Sequence, residues 1–282
     1  MDNFTPIVHR YTTYGMKMVV NVFMVETENG VVLIDAATAI SSSTHIRDSI
    51  AENIKKPLHA ILLTHGHPDH YIGAGEIAKD QNIPIVSTIG TYNFARFQDE
   101  YKLDTLKKGY RDNFPENRRF PDQIVKNGDE LMFDNIVFKV IDYGPCESDS
   151  DAVWELNING VRHVFVGDLI YNKRHSYFRD GHALNWIKTL DNMLIQYNHQ
   201  VVFHPGHGDD CGAEIIIWQK AYIEAFLYTL RSLLNNKKNI GRQEQEILFD
   251  RMKSFLPDET IIFLLKYEPD ETIKALRDHG AI

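Results

Sequence analysis

His65, His67, Asp69 and His70 fall within one short stretch, Leu62 to His70 (LLTHGHPDH). Imidazole nitrogens and carboxylate oxygens are the donors that a divalent ion such as zinc takes at roughly 2.0–2.2 Å. So short a segment cannot easily turn all four groups onto one centre. It can give two to one ion and two to a neighbour, the arrangement of a two-metal hydrolytic site with ions roughly 3.5–4 Å apart. Such a pair lowers the pKa of a shared water towards neutrality, so that hydroxide is available to attack a carbonyl carbon or a phosphorus. The remaining donors must come from elsewhere in the chain. Three places qualify: VFVGD ending in Asp168, VVFHPGHG with His204 and His207, and VIDYGPCESDSD with Cys146, Glu147, Asp149 and Asp151. Each is a β-branched or apolar run that leads into metal-binding side chains, as the opening stretch is.

These segments need strands to deliver them. Met18–Glu26 and Val31–Asp35 read as a hairpin turning at Gly30. Ser41–Ile54 carries Ile46, Ile50 and Ile54 at helical spacing. Leu58–Leu63 reads as a short buried strand, followed by a helix over about Asp69–Asp80, a strand at Ile83–Ser87 and a helix at Gly90–Phe97. Tyr101–Phe120 is charged and aperiodic, which predicts an exposed excursion of the kind that forms a mobile flap. Four strand-like runs follow, Glu130–Phe133, Ile136–Ile141, Ala152–Ile158 and Val161–Val166, with Asp134-Asn135 and Asn159-Gly160 as hairpin signals between pairs. Ala183–Tyr197 is helical, Gln200–Phe203 extended, and Ala213–Leu234 a long helix with one apolar stripe. Helices alternating with buried strands in two halves predict two layers of sheet flanked by helices, with a helical tail.

In this order and spacing, HGHPDH at His65–His70, Gly167-Asp168 and PGHG at Pro205–Gly208 resemble the metallo-β-lactamase superfamily of metal-dependent hydrolases. The resemblance runs from about Val19 to Gly208. It implies an αββα four-layer sandwich of two mixed β-sheets flanked by helices, with the metal site at one edge between them. Residues 1–212 would form that hydrolase domain, and 213–282 a C-terminal helical extension packed on it. It further implies His65 and His67 at a first metal, Asp69, His70 and His207 at a second, and Asp168 bridging both. Asp35, at the end of VVLID, matches a carboxylate that stands behind the site and supports a ligand histidine rather than binding metal.

In one place the chain departs from that pattern. The superfamily usually has a Gly-His pair where this chain has Cys146-Glu147, and that histidine completes the first metal. Glu147 as an oxygen ligand is the favoured reading; Cys146 as the ligand, or a loosely held first metal, are the alternatives. The charge count shows the consequence. Two divalent ions bring four positive charges; Asp69, Asp168 and a shared hydroxide remove three, and an ionised Glu147 removes the last. Zinc is the first expectation for both ions, and harder oxygen ligands admit iron or manganese. Asp69 and Asp168 are the carboxylates expected to face the attacking water and take or relay its proton. Leu169–His182 follows Asp168 directly, so Tyr171, His175 and Tyr177 either contact substrate at the mouth of the site or simply pack.

Asp168 also separates branches within the resemblance. β-Lactamases generally lack the bridging aspartate; lactonases, thioesterases of the glyoxalase II kind and phosphodiesterases have it. The expectation is therefore hydrolysis of a small-molecule ester, lactone or thioester. The alternatives are a β-lactam or phosphodiester, or a metal-binding protein whose catalysis has been lost at Glu147.

Bulk properties narrow the partners. Thirty basic residues against thirty-nine acidic ones leave a net charge of -9, which disfavours nucleic acid. Two cysteines cannot form a disulfide framework. No apolar run approaches the length of a membrane span, and the first residues lack a basic start followed by an apolar core. The expectation is a cytoplasmic protein acting on a small molecule, with no nucleic-acid or membrane partner. For the apolar stripe of the tail, packing on the core, a lid, or a homodimer contact are the roles considered.

Overall fold

A computed structural model describes residues 4–13, 18–197, 200–235 and 237–281. Two mixed sheets stack face to face, with helices on both outer surfaces. The first sheet has six strands in sequence order: β1 (Ile7–Thr12), β2 (Asn21–Glu26), β3 (Val31–Ile34), β4 (Leu58–Leu62), β5 (Ile85–Thr88) and β6 (Gln123–Val125). β1 to β3 run antiparallel, and β3 to β6 are parallel. The second sheet has five strands, β7 (Glu130–Phe133), β8 (Ile136–Gly144), β9 (Asp151–Ile158), β10 (Val161–Tyr171) and β11 (Val201–His207); only β10 and β11 are parallel.

The layering follows from side-chain alternation. Along β2, Phe23 and Val25 face the second sheet and pack with Phe138, Trp154 and Phe165. Val22 and Met24 face the opposite way, towards Ile46 and Tyr71. With both faces covered, the strand reads as a nearly continuous apolar run rather than an alternating one. The outer surface of the first sheet is covered by α1 (Ile40–Ser49), α2 (Pro68–Tyr71), α3 (Ala74–Ile77) and α4 (Ile89–Tyr110). α5 (Ala183–Gln196), α6 (Glu214–Leu234), α7 (Arg242–Phe255) and α8 (Asp270–Asp278) share one apolar cluster with Val153, Val164 and Val166 of the second sheet. The tail is thus built into the outer layer. None of the described helices is long and apolar enough to cross a membrane.

Three local expectations change. The helix expected over Asp69–Asp80 is divided into α2 and α3, because the Gly73 N–H donates to Ala37 O at 3.0 Å instead of continuing the helical ladder. The first half of the excursion expected at Tyr101–Phe120 is the end of α4, which runs to Tyr110 with Leu103 and Leu106 packed against the core. The rest is pinned by buried Phe114, by Phe120 stacked on Tyr71, and by Arg118 Nε 2.8 Å from the Asp99 carboxylate. β10 runs past Val166 to Tyr171, so Asp168 lies within a strand, at a register shift in the β10–β11 pairing. The two hairpin signals behave as their chemistry requires. Asp134 and Asn135 (φ 48° and 65°) and Asn159 and Gly160 (φ 52° and 85°) take the left-handed turn conformation between β7–β8 and β9–β10.

Candidate metal centre

The site lies at one edge of the sandwich, where the ends of β3, β4, β10 and β11 meet the β8–β9 loop. β4 ends at Leu62, and the following loop and the start of α2 present His65, His67, Asp69 and His70, all buried. β10 carries Asp168 and β11 ends on His207. The backbones of β10 and β11 must approach closely here. A Cβ on Gly206 would stand 2.3 Å from Asp168 Oδ1 and 2.7 Å from His70 Cε1, so only glycine fits between them.

Two donor groups result. His65, His67, Glu147 and Asp168 each offer an atom within 4.8 Å of the others, and so do Asp69, His70 and His207. Asp168 reaches towards both. Its Oδ1 lies 3.4 Å from His70 Nε2, and its Oδ2 lies 3.2 Å from His207 Nε2 and 3.9 Å from His65 Nε2. Glu147 Oε2 lies 3.1 Å from His67 Nδ1 and 3.8 Å from His65 Nε2.

Each of the four imidazoles has one nitrogen held by an acceptor away from the centre. His70 Nδ1 is 2.8 Å from Asp35 Oδ2, and His207 Nδ1 is 2.5 Å from Val19 O. His67 Nε2 is 2.8 Å from Asp180 Oδ2. His65 Nδ1 is 3.1 Å from Thr64 Oγ1, which itself donates to Asp35 Oδ2 at 2.8 Å and so has a lone pair to accept from the ring. Asp35 therefore orients His70 directly and His65 through Thr64. Protonating the outer nitrogens leaves the inner four as lone-pair donors turned to one place, the tautomers metal ligation needs. Four buried atoms there, Asp69 Oδ2, His70 Nε2, Glu147 Oε2 and Asp168 Oδ1, have no hydrogen-bond partner. Orphaned buried acceptors are costly unless something else satisfies them. Donor types, tautomers and orphaned atoms all fit divalent metal.

The electrostatics of the bare donor set show the same tension. Burial pushes the Glu147 carboxyl up to about 8, against the pull of His67. Burial also lowers His67, but Glu147 and Asp180 outweigh it and hold the imidazole at about 10. His65 is driven well below its ordinary range by burial and by His70. Burial raises Asp168, yet His207 and His70 carry it well below the usual carboxylate range.

The loop that presents Glu147 is shaped by Asp151. Its Oδ2 accepts from the N–H groups of Cys146 (3.2 Å) and Ser148 (2.9 Å), and Oδ1 accepts from Ser148 Oγ at 3.0 Å. Cys146 points elsewhere, its Sγ 3.1 Å from Thr189 Oγ1 of α5, and burial pushes the thiol far above its ordinary value. Of the three residues expected at the mouth, Tyr171 and Tyr177 line the cavity over the site. The Tyr171 hydroxyl stands 2.6 Å from Asp168 Oδ2 and 2.9 Å from Glu147 Oε1. His175 takes the packing alternative. Its ring is buried away from the cavity, 2.7 Å from the Tyr222 hydroxyl and 2.9 Å from Asp258 O, because the chain turns at Lys173 (φ 52°) towards α6. His204 is also outside the site, bonded to His163 at 3.0 Å. Asp180 was missed by the sequence reading; nothing near it in sequence marks it as the partner of a histidine 113 residues away.

Comparison with known proteins bears on the family and the fold. The family model described as metallo-beta-lactamase superfamily matches residues 16–210. No curated protein matches the sequence. Among solved structures, a metallo-beta-lactamase family protein from Thermus thermophilus is 20% identical, with a TM-score of 0.70, covering 98% of this chain and 94% of its own. A beta-lactamase domain protein from Burkholderia ambifaria is 15% identical, with a TM-score of 0.69, covering 99% and 88%. A metallo-beta-lactamase from Pseudomonas aeruginosa, in a mono-zinc form, is 16% identical with a TM-score of 0.60, covering 78% and 91%. The first two cover nearly the whole chain, its C-terminal helices included.

Proposed function

The chain belongs to the metallo-beta-lactamase superfamily, and from that premise we propose that it hydrolyses a small-molecule ester, lactone or thioester at a pair of divalent metal ions, zinc by first preference. The observation that carries this reading is the set of four imidazoles, each tied outward by one nitrogen and turned inward by the other, around orphaned carboxylate oxygens. In this reading His65, His67 and Glu147 would hold one ion, Asp69, His70 and His207 would hold the other, and Asp168 would serve both. When bound, the ions supply Lewis acidity and lower the pKa of a shared water.

The chain's own groups do the rest. Asp69 and Asp168 both face the cavity, and either carboxylate is placed to take the proton of the attacking water. The Tyr171 hydroxyl has one proton to donate, and at 2.6 Å Asp168 Oδ2 is the nearer acceptor; that bond fixes the direction in which Asp168 offers its other oxygen. Tyr177 stands edge-on to His67, with ring centroids 5.2 Å apart, and gives the acyl or leaving group an aromatic wall. Ionised Glu147 lowers the charge of the centre compared with a neutral imidazole. That weakens attraction for a phosphodiester more than for a neutral carbonyl group, which favours the acyl substrates.

The test is metal analysis of the purified protein together with rates on lactone, thioester, ester, β-lactam and phosphodiester substrates, before and after chelation and metal return. Turnover of an acyl substrate that chelator removes and metal restores is the expected result. Turnover confined to β-lactams or phosphodiesters, or bound metal with no turnover, would refute the proposal.

A further inference from the structure

A cavity of about 330 Å³ opens directly onto Asp69, Glu147 and Asp168, a volume suited to a small organic ligand. One wall is α4, which contributes Tyr101, Lys102 and Leu106; the segment after β10 adds Tyr177 and Arg179. Lys102 is notable for what it lacks. Among the described residues its ammonium makes no hydrogen bond and no ion pair, and it lies 5.4 Å from the centre of the Tyr177 ring. A surface lysine of no special role normally extends its amine into water or onto a carboxylate. This one is enclosed enough that burial lowers its pKa, against the fields of Asp180, Asp69 and Glu147. Arg179 is close by, also with no carboxylate partner; it donates to the Tyr101 hydroxyl at 2.8 Å and lies over the Tyr101 and Tyr267 rings.

The charges do not balance without a ligand. Four positive charges from two divalent ions would be outweighed by one when Asp69, Glu147, Asp168, Asp180 and the shared hydroxide are counted. Lys102 and Arg179 would then leave one positive charge over, at a pocket whose wall beyond the donor groups is mostly tyrosine, threonine and aliphatic side chains. An unpaired ammonium in such a place is costly, and a charge-assisted hydrogen bond to an anion would offset that cost.

We propose that Lys102, with Arg179 at the rim, binds a carboxylate carried by the substrate, so that the enzyme selects monoanionic esters, thioesters or lactones over neutral ones. The proposal rests on the hydrolytic reading for the word substrate, but the carboxylate site itself stands on cavity geometry and is tested without turnover. Phenylacetate and its neutral counterpart phenylacetamide are titrated calorimetrically into metal-loaded wild type, Lys102→Met and Lys102→Arg, with metal content measured on each. Phenylacetate is expected to bind wild type at least about tenfold more tightly, as for one charge-assisted hydrogen bond. Lys102→Met removes the preference at unchanged metal content, and Lys102→Arg keeps most of it. In parallel, Lys102→Met raises KM for 4-nitrophenyl hemiglutarate about tenfold more than for 4-nitrophenyl valerate. Equal binding of the two probes, no binding of either, or a preference that survives in Lys102→Met would overturn the proposal; the last would place the carboxylate on the metals. A preference that depends on Lys102 in a protein that turns over none of the esters would uphold the carboxylate site and count against the hydrolytic reading.

Discussion

Glu147 and Asp180 act on the same imidazole from opposite sides. Glu147 Oε2 faces His67 Nδ1 at 3.1 Å, while Asp180 Oδ2 takes His67 Nε2 at 2.8 Å. In the proposed reading the first is a metal ligand and the second a positioning residue, so their removal has different signatures. Glu147→Ala is expected to lower metal stoichiometry from two towards one and to reduce hydrolysis by more than about a hundredfold, beyond the usual effect of an outer partner. Unchanged metal content and rate would remove Glu147 from the ligand set. Asp180→Asn is expected to keep both ions at saturating metal but to weaken affinity by roughly 10–100-fold, read by competition with a metal-binding dye. An affinity equal to wild type would show that His67 needs no such support.

At the scale of elements, the site depends on strand ends being held in register, and a distant turn contributes. Asp134, between β7 and β8, accepts from Thr27 Oγ1 (2.8 Å) and from Asn29 N (2.8 Å) in the β2–β3 turn, and lies 3.2 Å from His59 of β4. It joins the two sheets at the end remote from the candidate metal centre. Burial raises its pKa, but these hydrogen bonds outweigh burial and hold the carboxyl well below its ordinary value. A depressed folded-state pKa stabilises the fold above the unfolded value near 3.8 and loses that contribution as pH falls through the folded value. Asp134→Ala should therefore cost about 1–3 kcal/mol in urea unfolding at pH 7. The gap to wild type should narrow as pH is taken below the unfolded value. A gap that is constant with pH would assign the loss to packing instead of charge.

For the whole molecule, the candidate centre concentrates buried carboxylates and imidazoles, four of whose atoms have no hydrogen-bond partner. On the proposed reading folding and metal binding are linked: ions that bind only the folded state stabilise it by mass action, by about 4 kcal/mol at a thousandfold excess over Kd. Chelation is expected to lower the Tm by several degrees and metal return to restore it, measured by calorimetry on the same sample. A Tm indifferent to chelator, with metal loss verified, would mean the bare site is already satisfied. The C-terminal helices bear on the same question. Leu264 and Tyr267 reach the cavity from the segment between α7 and α8, so the tail helps to shape the pocket as well as the outer layer.

Much of this was legible in the residues alone. HGHPDH, Gly167-Asp168 and PGHG announced a superfamily and its four layers, because ligand chemistry imposes residue type and spacing locally. The apolar runs of β2 to β5 and the Asn159-Gly160 turn were legible for the same reason, being local in sequence. Tyr101–Tyr110 was misread because its charges masked the spacing of Leu103, Leu106 and Tyr110 along α4. β1 and β6 were missed because both are edge strands with little burial, and β6 has only three residues. The pairing of His67 with Asp180, the clamp of Asp151 on its loop, the turning away of His175 and the unpartnered Lys102 were decided by tertiary structure. Each depends on where separate segments of the chain meet, and contacts between distant residues leave no periodicity or spacing in a single sequence.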